Sequence, residues 1–277
     1  MGVFNPSKNV AKHNSDYVDL TPICEEHNLA LYRFTKISDE KTISLVTSLR
    51  PDVIFVFGLS QLIPKQLLGM PRLGCIGTHP ALLPKNRGRH PLIWALVEGL
   101  EETGLTFLYL DEGVDSGDIL WQRSFPITLQ DDARSLYQKI ESLASEAIKE
   151  FLPQLANGTA PRVRQDHSRA TYWRKRVEKD GEVLWGSFTS SQVFNLVRAL
   201  TKPYVGAHTY LRSQKILIWR SILMPESEVM SFQKFKPGEV CAVRDDGFVV
   251  KTIDGSILIS DHEVANQWIV RVGDQLG

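Results

Sequence analysis

Residues 52–57 read Asp-Val-Ile-Phe-Val-Phe, with no polar side chain after the first position. A strand of that kind offers nothing to water on either face, so it belongs in a sheet covered by helices on both sides. Its surroundings fit. Residues 39–50 place Ile43, Val46 and Leu49 at helical spacing, and residues 29–34 form the preceding apolar run. Further strands are predicted at 74–78, 105–110 and 119–127, and helices at 91–98 and 133–155, the last ended by Asn157-Gly158. Alternation of short apolar runs with helices is the pattern of βαβ units, so the first half is predicted to be an α/β, Rossmann-like open sheet, mostly parallel.

The character of the chain changes after that helix. Residues 157–169 are polar, contain Gly158 and Pro161, and show no periodicity, which marks a linker between a domain over 1–156 and another over 170–277. The second domain opens with a helix at 190–200. Alternating segments follow at 207–211, 215–222, 239–243, 247–252 and 256–260, with turn signals at Asp245-Asp246-Gly247 and Asp254-Gly255. That is a small β-rich barrel of OB-like type.

Composition narrows the partners. Lys plus Arg number 32 and so do Asp plus Glu, so no global field draws the chain to nucleic acid or an anionic membrane. Cys24, Cys75 and Cys241 lack both CxxC spacing and an even count, which argues for reduced thiols and a cytoplasmic location. No apolar run reaches the length of a spanning helix, and no signal-peptide core opens the chain. A small-molecule substrate is the expectation.

The densest unusual stretch is residues 74–91, GCIGTHPALLPKNRGRHP. It begins as a strand and continues as a loop too polar and too constrained for a simple connector. Ligands of open α/β sheets bind at the carboxyl ends of strands, and His79 sits just past such an end. A second loop, residues 111–118 (DEGVDSGD), follows the next strand with four acidic residues and two glycines. It can bring a carboxylate to His79, and a His–Asp pair is a general acid–base unit. The residues alone leave a blander reading equally open, in which His79 caps a loop, His90 starts a helix and the acidic loop is a solvated turn. The acidic spacing is not that of an EF-hand, and no metal is expected.

The string THPALLPKNRGRHPLIWAL, followed by EETGLTFLYLDEGVDSGDIL, resembles the signature of the folate-dependent formyltransferases: Asn-x-His, Ser-Leu-Leu-Pro-x-x-Arg-Gly, and an Asp-x-Gly-x-Asp-x-Gly-Asp loop. Downstream, DGEVLW, NLVRA, PYVGAHT and residues 215–219 are similar to the C-terminal domain of methionyl-tRNA and sugar formyltransferases. The resemblance spans nearly the whole chain. It implies N10-formyltetrahydrofolate as co-substrate, no metal, and attack of a substrate amine on the formyl group. It implies His79 as the residue that manages the proton and Asp115 as the one that holds it. Phe57, Gly58, Leu59 and Ser60, with Asp111, Glu112, Gly113 and Val114, take the positions where the family contacts the pterin through backbone groups. Pro84, Arg87 and Gly88 shape the loop beside the carrier.

Two departures stand out. The family's asparagine, which donates a hydrogen bond to the oxyanion, is Gly77 here. Loss of one such donor costs about 10²–10³ in rate, and Thr78, Asn86, His90 or a backbone N–H near Gly77 are the candidate substitutes. A catalytically impaired folate-binding homologue is therefore an alternative of a different class. The second departure is the opening MGVFNPSKN, which resembles the end of the family's second strand; a start lacking about 25 residues would leave two unpaired sheet edges.

For the acceptor, the expectation is the amine of a nucleotide-linked sugar, with methionyl-tRNA as the alternative. Residues 165–277 hold 15 Lys/Arg against 13 Asp/Glu, a net of +2, where an RNA binder should show a basic face. Tyr172-Trp173-Arg174-Lys175-Arg176 is the one basic–aromatic run. A homodimer is the expected form if the chain self-associates.

Overall fold

The computed structural model describes residues 1–11, 17–264 and 269–277. Parallel pairing begins at the first strand: β1 (Gly2–Pro6) runs beside β2 (Ala30–Phe34), with Val3 opposite Leu31. These two make a sheet of their own. A second sheet takes β3 (Ile54–Val56), β4 (Cys75–His79), β5 (Glu102–Tyr109) and β6 (Ile119–Pro126) in that order. β3 and β4 are parallel, whereas β4 and β5 are antiparallel, so Gly77 faces Val56 on one side and Leu108 on the other.

The run at 52–57 behaves differently from its sequence expectation. Its strand is three residues long and, among the described residues, pairs only with β4, and Phe55 and Phe57 stay 37% and 47% exposed. An edge strand has one neighbour, so an apolar run there cannot be covered as a central one is. What covers it is an aromatic cluster. Phe107 of β5 lies edge-on to Phe57 at 5.8 Å and tilted against Phe151 at 4.9 Å. Phe151 belongs to the helix Ala133–Ala156, which ends where Gly158 takes φ +71°. Such a residue past the last turn is favoured as glycine because a Cβ strains that conformation.

By internal contacts the chain forms two units. The first comprises residues 1–88, 104–124 and 142–172; the second comprises 89–103, 125–141 and 173–277. The segment 157–169, read as a linker, thus lies within the first unit.

The second unit centres on a five-stranded antiparallel sheet. Its strands are β7 (Ala207–Leu211), β8 (Gln214–Leu223), β9 (Val240–Arg244), β10 (Gly247–Lys251) and β11 (Ser256–Val264), ordered β9-β10-β11-β8-β7. Residues near the C-terminus stitch both edges: Leu276 bridges Leu211 and Gln275 bridges Glu239. The helix Ser190–Leu200 buries Val193, Leu196, Val197 and Leu200, the i, i+3, i+4, i+7 stripe, in one core with Ile216, Ile218, Ile257 and Ile259. A capping box between Thr189 and Gln192 starts that helix.

Asp131 pins the loop before the helix Ala133–Ala156. It is 5% exposed, and burial opposes its charge. Lys139 Nζ at 2.7 Å, the Thr128 N–H at 2.7 Å and the Ser135 hydroxyl at 2.9 Å outweigh that effect and bring its pKa from 3.8 to about 2. The folded pKa is below the unfolded one, so the stabilisation is present above pH 3.8 and is lost as the pH falls toward about 2. Asp131→Asn is expected to cost about 2 kcal/mol near neutral pH and less in acid. Urea unfolding of both proteins at several pH values measures it; a difference that does not shrink on acidification would contradict this assignment.

Among the described residues no helix is long and apolar enough to cross a membrane.

Candidate active site

β4 delivers Cys75, Gly77 and His79 to one face of its sheet, because side chains alternate along a strand. His79 is 4% exposed at the strand's last position. The chain then turns through residues 80–89, and the sheet holds that turn: the Thr106 hydroxyl donates to the Ala81 carbonyl at 2.7 Å, and the Gln122 amide to the Leu83 carbonyl at 3.0 Å. Asn86 (φ +62°) and Gly88 (φ +107°) bend the turn back toward His79. Asn86 is kept in this unfavourable region by its own N–H, which donates to the Thr171 hydroxyl at 2.8 Å.

The acidic loop is organised by its first residue. Asp111 Oδ1 accepts from the Gly113 N–H at 3.0 Å and from the Ser116 hydroxyl at 2.7 Å. Gly117 must be glycine, since a Cβ there would fall 1.7 Å from the Tyr109 carbonyl oxygen. Between them Asp115 takes φ +51°, an uncommon conformation for a residue with a Cβ. Its Oδ2 accepts the Gly88 N–H at 2.9 Å and stands 3.5 Å from His79 Nδ1. The other ring nitrogen, Nε2, lies 2.7 Å from the Asn86 carbonyl oxygen. A carbonyl only accepts, so Nε2 carries a hydrogen. With a carbonyl on one side and a carboxylate on the other, the ring has an acceptor for each N–H of an imidazolium. The two residues named from the sequence are thus brought together, the Asp115 carboxylate facing one ring nitrogen of His79 and the Asn86 carbonyl the other.

The remaining predicted residues fall into place unevenly. Lys65 Nζ pairs with Glu112 at 2.8 Å, tying the acidic loop to the helix Lys65–Leu68 that follows residues 57–60. Leu59 packs its side chain against the cluster of Phe34, Ile37 and Leu67, so at that position the backbone is what is left to offer a ligand. Phe57 and Val114 are each 47% exposed. His90 stands at the start of the helix Pro91–Val97 in the second unit, with φ +56°, as the blander reading had it. Burial pushes the Cys75 thiol up to about 11, so it stays protonated and inert.

Gly77 is buried, and its missing side chain has been replaced by a neighbour. A Cβ there would meet Leu110 Cδ2 at 2.6 Å and Cγ at 3.2 Å. The place beside His79 where the resemblance expects an amide is therefore filled with hydrocarbon.

Behind the pair lie Arg87, which the resemblance had assigned to shaping the loop, and Gln165, which sequence reasoning missed. Arg87 is 1% exposed and is held by the Gln165 Oε1, the Tyr172 hydroxyl and His167 Nδ1. Gln165 in turn donates to the carbonyls of Asp115 and Gly117. The only signal for Gln165 was a polar residue in a segment without periodicity.

Comparison with known proteins places the chain by sequence and by fold. Residues 3–152 match the formyl transferase family model, and residues 176–275 match the model for the formyl transferase C-terminal domain. A methionyl-tRNA formyltransferase of Geobacter metallireducens is 35% identical over 239 residues, 86% of this chain and 74% of that protein. One from Clostridioides difficile is 32% identical over 260 residues, 93% of this chain and 82% of that protein. Among solved structures, WlaRD, a sugar 3N-formyl transferase, superposes with a TM-score of 0.67 at 20% identity, covering 96% of this chain and 88% of its own. HypX from Aquifex aeolicus in complex with tetrahydrofolic acid gives 0.69 at 22% identity over 96% of this chain. This chain spans 45% of HypX. Both domain matches and these relatives show that the chain belongs to the folate-dependent formyltransferase family.

Proposed function

We propose that this chain transfers the formyl group of N10-formyltetrahydrofolate to the amine of methionyl-tRNA. The chemistry is carried by the His79–Asp115 pair, closed on its far side by the Gly88 N–H. The acceptor is carried by the relatives, which are methionyl-tRNA formyltransferases sharing 31–35% identity with it. These rank that acceptor above the sugar expected from the sequence alone.

The residues fit the folate co-substrate. Gly58 has φ +63°, and a Cβ built there meets no atom within 4 Å, so a flat heterocycle can approach that backbone. In the reaction the amine nitrogen bonds to the formyl carbon, giving a tetrahedral intermediate. The bond from that carbon to N10 then breaks, the amine loses a proton and N10 gains one. We assign that proton to His79, whose Nε2 must exchange the Asn86 carbonyl for the reacting group, with Asp115 steadying the positive charge the ring carries meanwhile.

A second reading, transfer to a nucleotide-linked amino sugar, is favoured by the charges. The one basic run is engaged internally: Arg174 pairs with Asp180 at 2.6 Å, and both Arg174 and Arg176 lie over the Trp94 ring. Arg174 and Arg176 are thus partnered within the protein, while Arg174 keeps 60% of its side chain exposed and Lys175 is exposed. Turnover with 10-formyltetrahydrofolate decides between them when charged initiator tRNA is set against dTDP-, UDP- and GDP-linked 4-amino sugars. Formyl-methionyl-tRNA is the expected product. Formylation of a sugar with none of the tRNA would replace the first reading by the second, and folate binding without transfer to any acceptor would leave a binding homologue.

A further inference from the structure

We infer that Gln165 is a positioning residue that sets the distance between His79 and Asp115. This deepens the formyl-transfer reading and rests on it. Gln165 is 6% exposed and uses its whole amide. Its Nε2 donates to the Asp115 carbonyl at 2.9 Å and the Gly117 carbonyl at 2.6 Å. Its Oε1 accepts from Arg87 Nη2 at 2.6 Å and Nε at 3.2 Å.

The arrangement has a direct geometric consequence. Two carbonyls, on residues 115 and 117, converge on one NH₂ group, which fixes the course of the backbone through the left-handed Asp115. The same amide grips Arg87, whose neighbour Gly88 supplies the N–H that the Asp115 carboxylate accepts. Both walls of the pair, the turn after His79 and the acidic loop, are therefore clamped by one side chain. Without it, Asp115 would keep its carboxylate but lose the constraint on where its Cα stands. A shift of about 1 Å at a reacting group costs about 10²-fold in rate, and outer residues that orient a functional group commonly matter by about 10–100-fold.

The amide also suits the charge. Arg87 contacts Gln165, Tyr172 and His167, each through a neutral acceptor or a ring nitrogen. A glutamate at 165 would pair with Arg87 more strongly, yet its oxygens would face the carbonyls of Asp115 and Gly117 with no hydrogen to share. Gln165→Glu therefore separates the two halves of the clamp: it keeps the shape and the Arg87 contact and removes the donors to the loop.

The test compares Gln165→Glu with wild type by steady-state kinetics, thermal melting and amide hydrogen exchange of the ligand-free protein. The expected result is a kcat lower by about 10–100-fold with KM for the formyl donor within about twofold, a melting temperature lowered by less than in Gln165→Leu, and faster exchange across residues 111–118. Gln165→Leu, which breaks both halves, should match the loss of kcat and also melt lower. A wild-type kcat in Gln165→Glu would overturn the inference. So would a kcat loss that follows a melting-temperature loss while exchange in 111–118 is unchanged, because that is a general structural role. If wild type formylates no acceptor, the formyl-transfer reading fails by itself, and the exchange measurement still decides whether Gln165 holds the loop.

Discussion

His79→Ala and Asp115→Asn are each expected to lower kcat for formyl transfer by about 10²–10⁴-fold, the range of a positioned acid–base group. Folding should be little disturbed by the second change. Asp115→Asn keeps an oxygen for the Gly88 N–H, 2.9 Å away in the native site, and removes only the charge that faces His79 Nδ1 at 3.5 Å. Because the two residues act as one unit, the double variant should be scarcely worse than the worse single variant. Rates measured with saturating formyl donor, beside melting curves, provide the check. Either single variant retaining most of the wild-type rate would remove the pair from the reaction.

That pair was legible in the sequence for reasons the structure now displays. His79 ends a strand and Asp115 lies in a glycine-bearing loop after another, a polar loop chemistry that a local pattern displays, although antiparallel pairing starts the two loops at opposite ends of their strands and the Gly88 N–H is what draws Asp115 to His79. The period-2 segments of the C-terminal half were legible too; the segment expected at 207–211 is a strand over those residues. What stayed hidden depends on contacts between distant residues. That β4 and β5 pair antiparallel, and that β3 lies at a sheet edge, follows from which strands meet, and a local pattern cannot report it. Gln165 was hidden for the same reason: its partners lie 48 to 78 residues away, in a stretch where polarity alone suggested a linker. Leu110 looked like the end of a strand, and only its approach to the missing side chain of Gly77 gives it a role.

That approach changes what Gly77→Asn will do. On sequence alone the substitution restores a hydrogen-bond donor; in the structure it drives a side chain into Leu110, whose Cδ2 is 2.6 Å from where the new Cβ must go. Forced packing of this kind costs about 1–3 kcal/mol. The single variant is therefore expected to melt lower than wild type and to lose activity, because the displaced Leu110 leads directly into the acidic loop at Asp111. Gly77→Asn combined with Leu110→Ala removes the collision and places an amide on the face of β4 that carries His79. An enzyme that already stabilises the oxyanion by other means gains little from a further donor, so the double variant should recover stability relative to Gly77→Asn with kcat within about tenfold of wild type. A rise of about 10²–10³-fold, the worth of a whole oxyanion donor, would show instead that the native site works without one. Leu110→Ala alone completes the comparison. Deleting a half-buried leucine beside an unmodified Gly77 opens a space without adding a donor, so any rate change it shares with the double variant belongs to packing, and only the excess belongs to the amide.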